Sequence, residues 1–334
     1  MLGWAALALA AAFALVLPAS TATPVLLITL HGSSDVHDPS NRVLVVAEED
    51  LYASKVEWRE RSGDGAPNLL EPRGLVALPA GVAVASAHKT DSAVLLLGPC
   101  ERSGSSWRIE PVATLSADSH LAHPYGVALS EKTSRMFVSN QDTAEVVSFA
   151  LPNWAFAGVL VDYKAELADA TSDPGLRGIA MDAAGDVIFI AVESLDIVDI
   201  RVPDGRRLAT LEVARPVGVL WSEDRQALYV SSRGGDGGHA PRVERWEGLD
   251  SRALRAGMAT PKRTNTYEEP SMDHPTGMAL SSVDGGRSLF VLSQKNTNGT
   301  LLRFDEATSL LRGIVLDRLP RPEGLLASDC PARA

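Results

Sequence analysis

Residues 123–149, HPYGVALSEKTSRMFVSNQDTAEVVSF, decide the fold. His123-Pro124-Tyr125-Gly126 is a turn that launches the apolar run Val127–Ser130. The polar tetrad from Glu131 to Ser134 separates it from a second run, Arg135–Ser139. Residues Asn140–Ala144 then turn into a third run, Glu145–Phe149. Each run is short, partly β-branched or aromatic, and bounded by turn formers, which favours strands over helices.

The same unit recurs along the chain. Glu71-Pro72-Arg73-Gly74, Gly175-Leu176-Arg177-Gly178, Arg215-Pro216-Val217-Gly218, His274-Pro275-Thr276-Gly277 and Arg321-Pro322-Glu323-Gly324 each open an apolar run of the same kind. The repeat glycines lie roughly 40–60 residues apart, the spacing of a four-stranded propeller blade. Second strands follow at 81–86, 136–139, 187–192, 228–231 and 289–293. Third strands follow at 93–97, 145–149, 196–200, 242–246 and 300–304. These define an all-β, six-bladed propeller of four-stranded antiparallel blades. The sixth unit is cut short after Gly324–Ser328, so its missing strands must come from the other end. Arg42–Ala47 and Lys55–Glu60 are assigned as its second and third strands, and the last blade is closed by both termini, which removes free sheet edges. Val25–Leu30 (VLLITL) is a further strand-like run, either an extra outer strand or the true first strand of that blade.

The remaining features bound location and partners. Residues 1–22 carry an uncharged apolar run followed by small residues, the pattern of a secretory leader cleaved after Ala22; a signal anchor is the alternative. Residues 23–334 then form one domain. The formal net charge of −11 argues against nucleic acid as a partner. Nothing else in the chain is apolar enough to span a membrane, and a monomer is expected. Cys100 and Cys330 are the only cysteines, which in an oxidising compartment suggests one disulfide. Each follows a strand directed at the same face of the propeller. Asn298-Gly299-Thr300 is a glycosylation acceptor triplet, with Gly299 placing it in a turn. Residues 247–274 read as a long insertion with a short helix at Ser251–Met258, a candidate contact surface.

The sentence HPYGVAL…MFVSN…EVVSF resembles the NHL and YVTN propeller repeats over about residues 40–328. The wider superfamily that this resemblance implies includes gluconolactonase-like calcium enzymes, strictosidine-synthase-like enzymes, zinc-containing amidating lyases and non-catalytic binding propellers, among which the fold does not choose. In such propellers the site lies over the central channel, on the face of the repeat turns. The residues directed there are those before the repeat glycines (Arg73, Tyr125, Arg177, Val217, Thr276, Glu323) and those ending the second strands (Glu48, His88, Asn140, Glu193, Arg233, Gln294).

Two site readings follow. Arg73, Tyr125, Arg177 and Arg233 form a cationic funnel for a carboxylate or phosphate, since guanidinium pairs such groups bidentately. Alternatively Glu48, Asn140, Glu193 and Glu323 supply oxygen ligands to calcium, as in a lactonase or esterase of the gluconolactonase-like kind. The two are distinguished by whether the carboxylates converge on one point or pair with Arg73 and Arg177. Zinc at His120, His123 and His274 is disfavoured, because the equivalent His123 and His274 belong to opposite sides of the ring. The glycine-rich stretch 233–239 precedes a strand and reads as a turn rather than a phosphate loop. The leading expectation is a secreted propeller that binds a small anionic ligand or a protein over its channel, with calcium-dependent hydrolysis as the alternative. A third reading is an extracellular scaffold that uses 247–274.

Overall fold

In the computed structural model, residues 23–32, 41–47, 69–88, 91–103, 106–117, 120–167, 173–235, 238–282 and 286–330 are described. Five sheets have four antiparallel strands each and follow one another along the chain as blades one to five. Their innermost strands are Pro72–Leu78, Pro124–Ser130, Leu176–Met181, Pro216–Ser222 and His274–Ser281. Blade six is built from both ends of the chain. Pro322–Cys330 is its inner strand and Thr23–Leu30 pairs with it, Leu26 opposite Ala327 and Leu27 opposite Leu326. Arg42–Ala47 pairs in turn with Thr23–Leu30.

Closure by both termini is therefore as expected, but the order of strands is corrected. The unplaced run Val25–Leu30 is the second strand, and Arg42–Ala47 moves out to third. Lys55–Glu60 and Glu48 lie outside the described residues. The reason is burial. Val25, Leu26, Leu27 and Ile28 are all fully buried, which a continuous apolar run achieves only with sheets on both faces. Val25 and Leu27 pack toward blade one against Val82, Val84 and Leu95. Leu26 and Ile28 pack toward blade five against Phe290, Leu292 and Leu301. The other interfaces each carry a comparable apolar cluster, so the core is distributed around the ring.

Residues 247–274 are also reassigned. Ser251–Arg255 is a short helix capped by Asp250, whose Oδ1 accepts from the Ala253 N–H at 2.8 Å. Leu254 is buried against Leu228 and Leu249. Lys262–Tyr267 then pairs with Arg242–Glu247 as the outer strand of blade four, so the stretch completes a blade. Gly299 lies in the strand Asn298–Asp305 and not in a turn, with Asn298 itself exposed.

The repeat glycines form the neck of the channel. A Cβ on Gly126 would lie 2.7 Å from Ile179 N, one on Gly178 2.7 Å from Val217 O, and one on Gly324 2.3 Å from Arg73 O. Each inner strand thus touches the next at its glycine, where no side chain fits. In blades two, four and six a hydroxyl links these contacts. Gly126 N–H donates to Ser139 Oγ (3.0 Å), which donates to Arg177 O (2.5 Å). Ser231 joins Gly218 to Thr276 O, and Thr29 joins Gly324 to Arg73 O. At the corresponding level, blades one, three and five carry Ala85, Ala191 and Leu292.

Candidate active site at the channel mouth

The turns that precede the inner strands gather at one end of the channel. In five of the six, the residue before the strand has a left-handed backbone: Glu71, His123, Gly175, Arg215 and Arg321, with φ between 40° and 61°. Blade five is the exception. His274 is not among the positive-φ residues and instead pairs as a regular strand residue with Gln294.

Tyr125 is buried at the mouth between two guanidiniums, Arg73 at 5.3 Å and Arg177 at 5.1 Å from its ring centroid. Its hydroxyl donates to Glu323 Oε2 at 3.1 Å, and Arg73 Nη1 donates to Glu323 Oε1 at 2.9 Å. Burial first, and the Glu323 charge second, raise the Tyr125 pKa above its ordinary value. The second carboxylate, Glu193, is 6 % exposed and is shared by three arginines. Arg177 Nε lies 2.5 Å from Oε2, while Arg233 Nη1 (2.6 Å) and Arg215 Nη2 (3.0 Å) meet Oε1. Burial opposes the charge on Glu193, but Arg177 and Arg233 outweigh it and hold its pKa below the usual carboxylate range. Arg177 also donates to Gln141 Oε1.

Four arginines therefore meet two carboxylates, and donors are left over. Arg73 Nε, Arg233 Nε and His274 Nε2 are buried without a hydrogen-bond partner, a costly state for polar groups. Burial, followed by the Arg233 charge, lowers the His274 pKa to about 4 against the pull of Glu323 and Glu193, with Arg177 lowering it further. Its imidazole is thus neutral at physiological pH.

The predicted residues Arg73, Tyr125, Arg177, Arg233, Glu193 and Glu323 all join this network. Asn140 is fully buried, but its Nδ2 turns to Glu145 O at 3.4 Å and its Oδ1 finds no partner. Glu193 and Glu323 are held by arginines, and among the described residues no three His, Cys, Asp or Glu side chains are placed to hold a metal ion. The described residues do not fit a calcium centre. His123 is occupied, with Nδ1 3.4 Å from Asp142 and Nε2 3.1 Å from Arg73 Nη2.

Sequence reasoning missed His31, Arg215 and Gln141, and weighed His274 only as a disfavoured zinc ligand. His31 follows the true second strand of blade six and so takes the mouth position that had been given to Glu48. It lies 3.4 Å from Glu71, and burial followed by the Arg73 charge lowers its pKa to about 4. Placing VLLITL correctly would have found it. Nothing in the HPTG motif distinguishes His274 from His123.

No protein-family model matches the chain, and a search of curated proteins finds no match. Solved structures share the fold at low identity. A putative 6-phosphogluconolactonase from Bacteroides uniformis is 13% identical, covering 92% of this chain and 99% of its own, with a TM-score of 0.58. The periplasmic gluconolactonase of Pseudomonas aeruginosa is 12% identical over 92% of this chain and 100% of its own, at 0.58. A chain of the nidogen/laminin complex is 15% identical over 91% and 98%, also at 0.58. This shared architecture covers proteins named as lactonases and a chain of the nidogen/laminin complex alike, so it speaks for the propeller alone. The NHL and YVTN resemblance has no matching family model behind it.

Proposed function

We propose that the mouth binds a small, anionic, hydroxylated ligand, and that this ligand is a phosphorylated sugar-acid lactone which the protein hydrolyses without calcium. The observation that carries the reading is the set of unpartnered buried atoms Arg73 Nε, Arg233 Nε and His274 Nε2 beside arginines in excess of carboxylates. The two arginine Nε groups are buried donors without acceptors and suit an anion that brings its own oxygens, while His274 Nε2 is an unpartnered ring nitrogen that accepts a proton in the tautomer protonated at Nδ1. The lactonase names of two structural neighbours support the choice of lactone.

In this reading Arg73 and Arg233 hold the phosphate group. Water attacks the lactone carbonyl and its proton passes to His274 Nε2. The ring C–O bond then breaks, the proton returns to the alkoxide, and a hydroxy acid leaves. The Arg233 and Arg177 charges that help depress His274 are partly offset by an anionic ligand, which raises its basicity when substrate is bound.

The test is hydrolysis of gluconolactone and 6-phosphogluconolactone with and without EDTA, beside calorimetric binding of the two product acids. The expected result is chelator-insensitive turnover, with acid binding weakened about tenfold in Arg233→Gln. Binding without turnover removes the hydrolase half of the proposal, and absence of both removes the whole. Secretion after loss of residues 1–22, a Cys100–Cys330 bridge and a glycan on Asn298 complete the proposal. An intact mass of the secreted protein, taken with and without reductant and glycosidase, checks all three.

A further inference from the structure

The channel has a second opening, opposite the mouth. There it widens into a cavity of about 390 Å³ walled by apolar side chains of the inner strands, including Leu75, Val127, Ile179, Val219, Met278 and Leu325. That volume falls in the range of small-molecule sites, which are typically apolar with a few polar groups that set orientation. Here the polar side chains sit in one sector, Ser222, Glu223 and Asp224 at the end of the inner strand of blade four and Arg287 just before the second strand of blade five. Trp221 lines the cavity and stacks on Phe189, with centroids 5.2 Å apart and planes 14° from parallel. This fixes the ring, while its Nε1 donates to Glu223 Oε2 at 2.8 Å. The other Glu223 oxygen accepts from Gln226 Nε2 at 3.0 Å, and both of these donors are neutral. The neighbouring acid differs. Asp224 is neutralised by Arg287, which also donates to Ser222 Oγ. Among the described residues this rim carboxylate is paired with no cation, and it sits beside a fixed indole.

From this juxtaposition we infer that the cavity is a binding site for a small apolar amine, whose body enters the channel while its ammonium pairs with Glu223 beside the face of Trp221. An ammonium gains from both groups, through a carboxylate pair and a cation–π contact. A carboxylate of the same shape would face Glu223 as a like charge. The site is independent of the mouth, because the glycine neck of the channel lies between them.

The probes are 4-phenylbutylamine and 4-phenylbutyrate, titrated calorimetrically into the purified full chain. The amine is expected to bind saturably and the acid at least about tenfold more weakly. Glu223→Gln should reduce amine affinity about tenfold. Ala180→Trp, which fills the cavity from blade three, should abolish it. Arg233→Gln at the mouth should leave it unchanged. Equal binding of amine and acid, no binding of the amine, or undiminished binding in a folded Glu223→Gln protein would each overturn the inference. Circular dichroism of both cavity variants establishes that they are folded, and Glu223→Gln carries the test if Ala180→Trp is not.

Discussion

The two His-Pro-x-Gly turns, at 123–126 and 274–277, have nearly the same sequence and do different things. His123 adopts a left-handed backbone, φ 58°, and spends both ring nitrogens on Asp142 and Arg73. His274 stays in the strand, opposite Gln294, and keeps a buried Nε2 without a partner among the charges of Arg233, Glu323, Glu193 and Arg177. One repeat motif thus supplies a structural turn in blade two and a free imidazole in blade five. The two turns differ in backbone conformation at that histidine, and the motif does not encode the difference.

The largest test of this comparison concerns what the turns share. Gly126→Ala and Gly277→Ala each place a Cβ against the next inner strand, 2.7 Å from Ile179 N and 2.5 Å from Leu325 N. Both should cost about 3–4 kcal/mol in urea unfolding. A loss confined to one turn would mean that the neck is not uniform.

The next separates the turns by chemistry. His274→Ala should lower kcat/KM for lactone hydrolysis about a hundredfold, within the range of a general base, while His123→Ala stays within about threefold. Equal losses would erase the distinction.

Acid supplies a third probe. The folded His274 pKa, about 4, lies below its ordinary 6.5, so the unfolded chain takes up a proton first. Stability should be full above pH 6.5 and fall by about 2–3 kcal/mol between pH 6.5 and 4 on this residue's account. His31, also lowered to about 4, acts in the same direction. His274→Gln should flatten the profile by its share, measured as urea midpoints at pH 7 and 5; an unchanged slope would place His274 in a more solvated setting. The smallest effect belongs to Tyr125→Phe, which removes one hydrogen bond to Glu323 and should cost about 1–2 kcal/mol.

The architecture was legible in the sequence because the repeat glycine has one steric duty at every neck contact, and because strands buried on both faces are written as apolar runs. VLLITL was misplaced for a related reason. A doubly buried run has no period that tells a second strand from an outer one, and only its packing between blades five and one decides. At the mouth, Arg73, Tyr125, Arg177, Glu193, Arg233 and Glu323 were legible from their place in the repeat, and so was the rule that the carboxylates would either converge or pair with arginine. Which of the two happens depends on side-chain reach across blades. Arg215, on the turn of the next blade after that of Arg177, joins the same carboxylate, and no local pattern announces that meeting.

Blade six has a consequence for how the molecule can be attached to other things. Thr23 stands opposite Cys330 in the sheet, at the end of the inner strand farthest from the mouth. The described chain therefore begins at Thr23 and ends at Cys330 on that far side. A short tether bonded directly at either residue would hold the propeller by its back, with the arginine-lined opening directed away from the point of attachment.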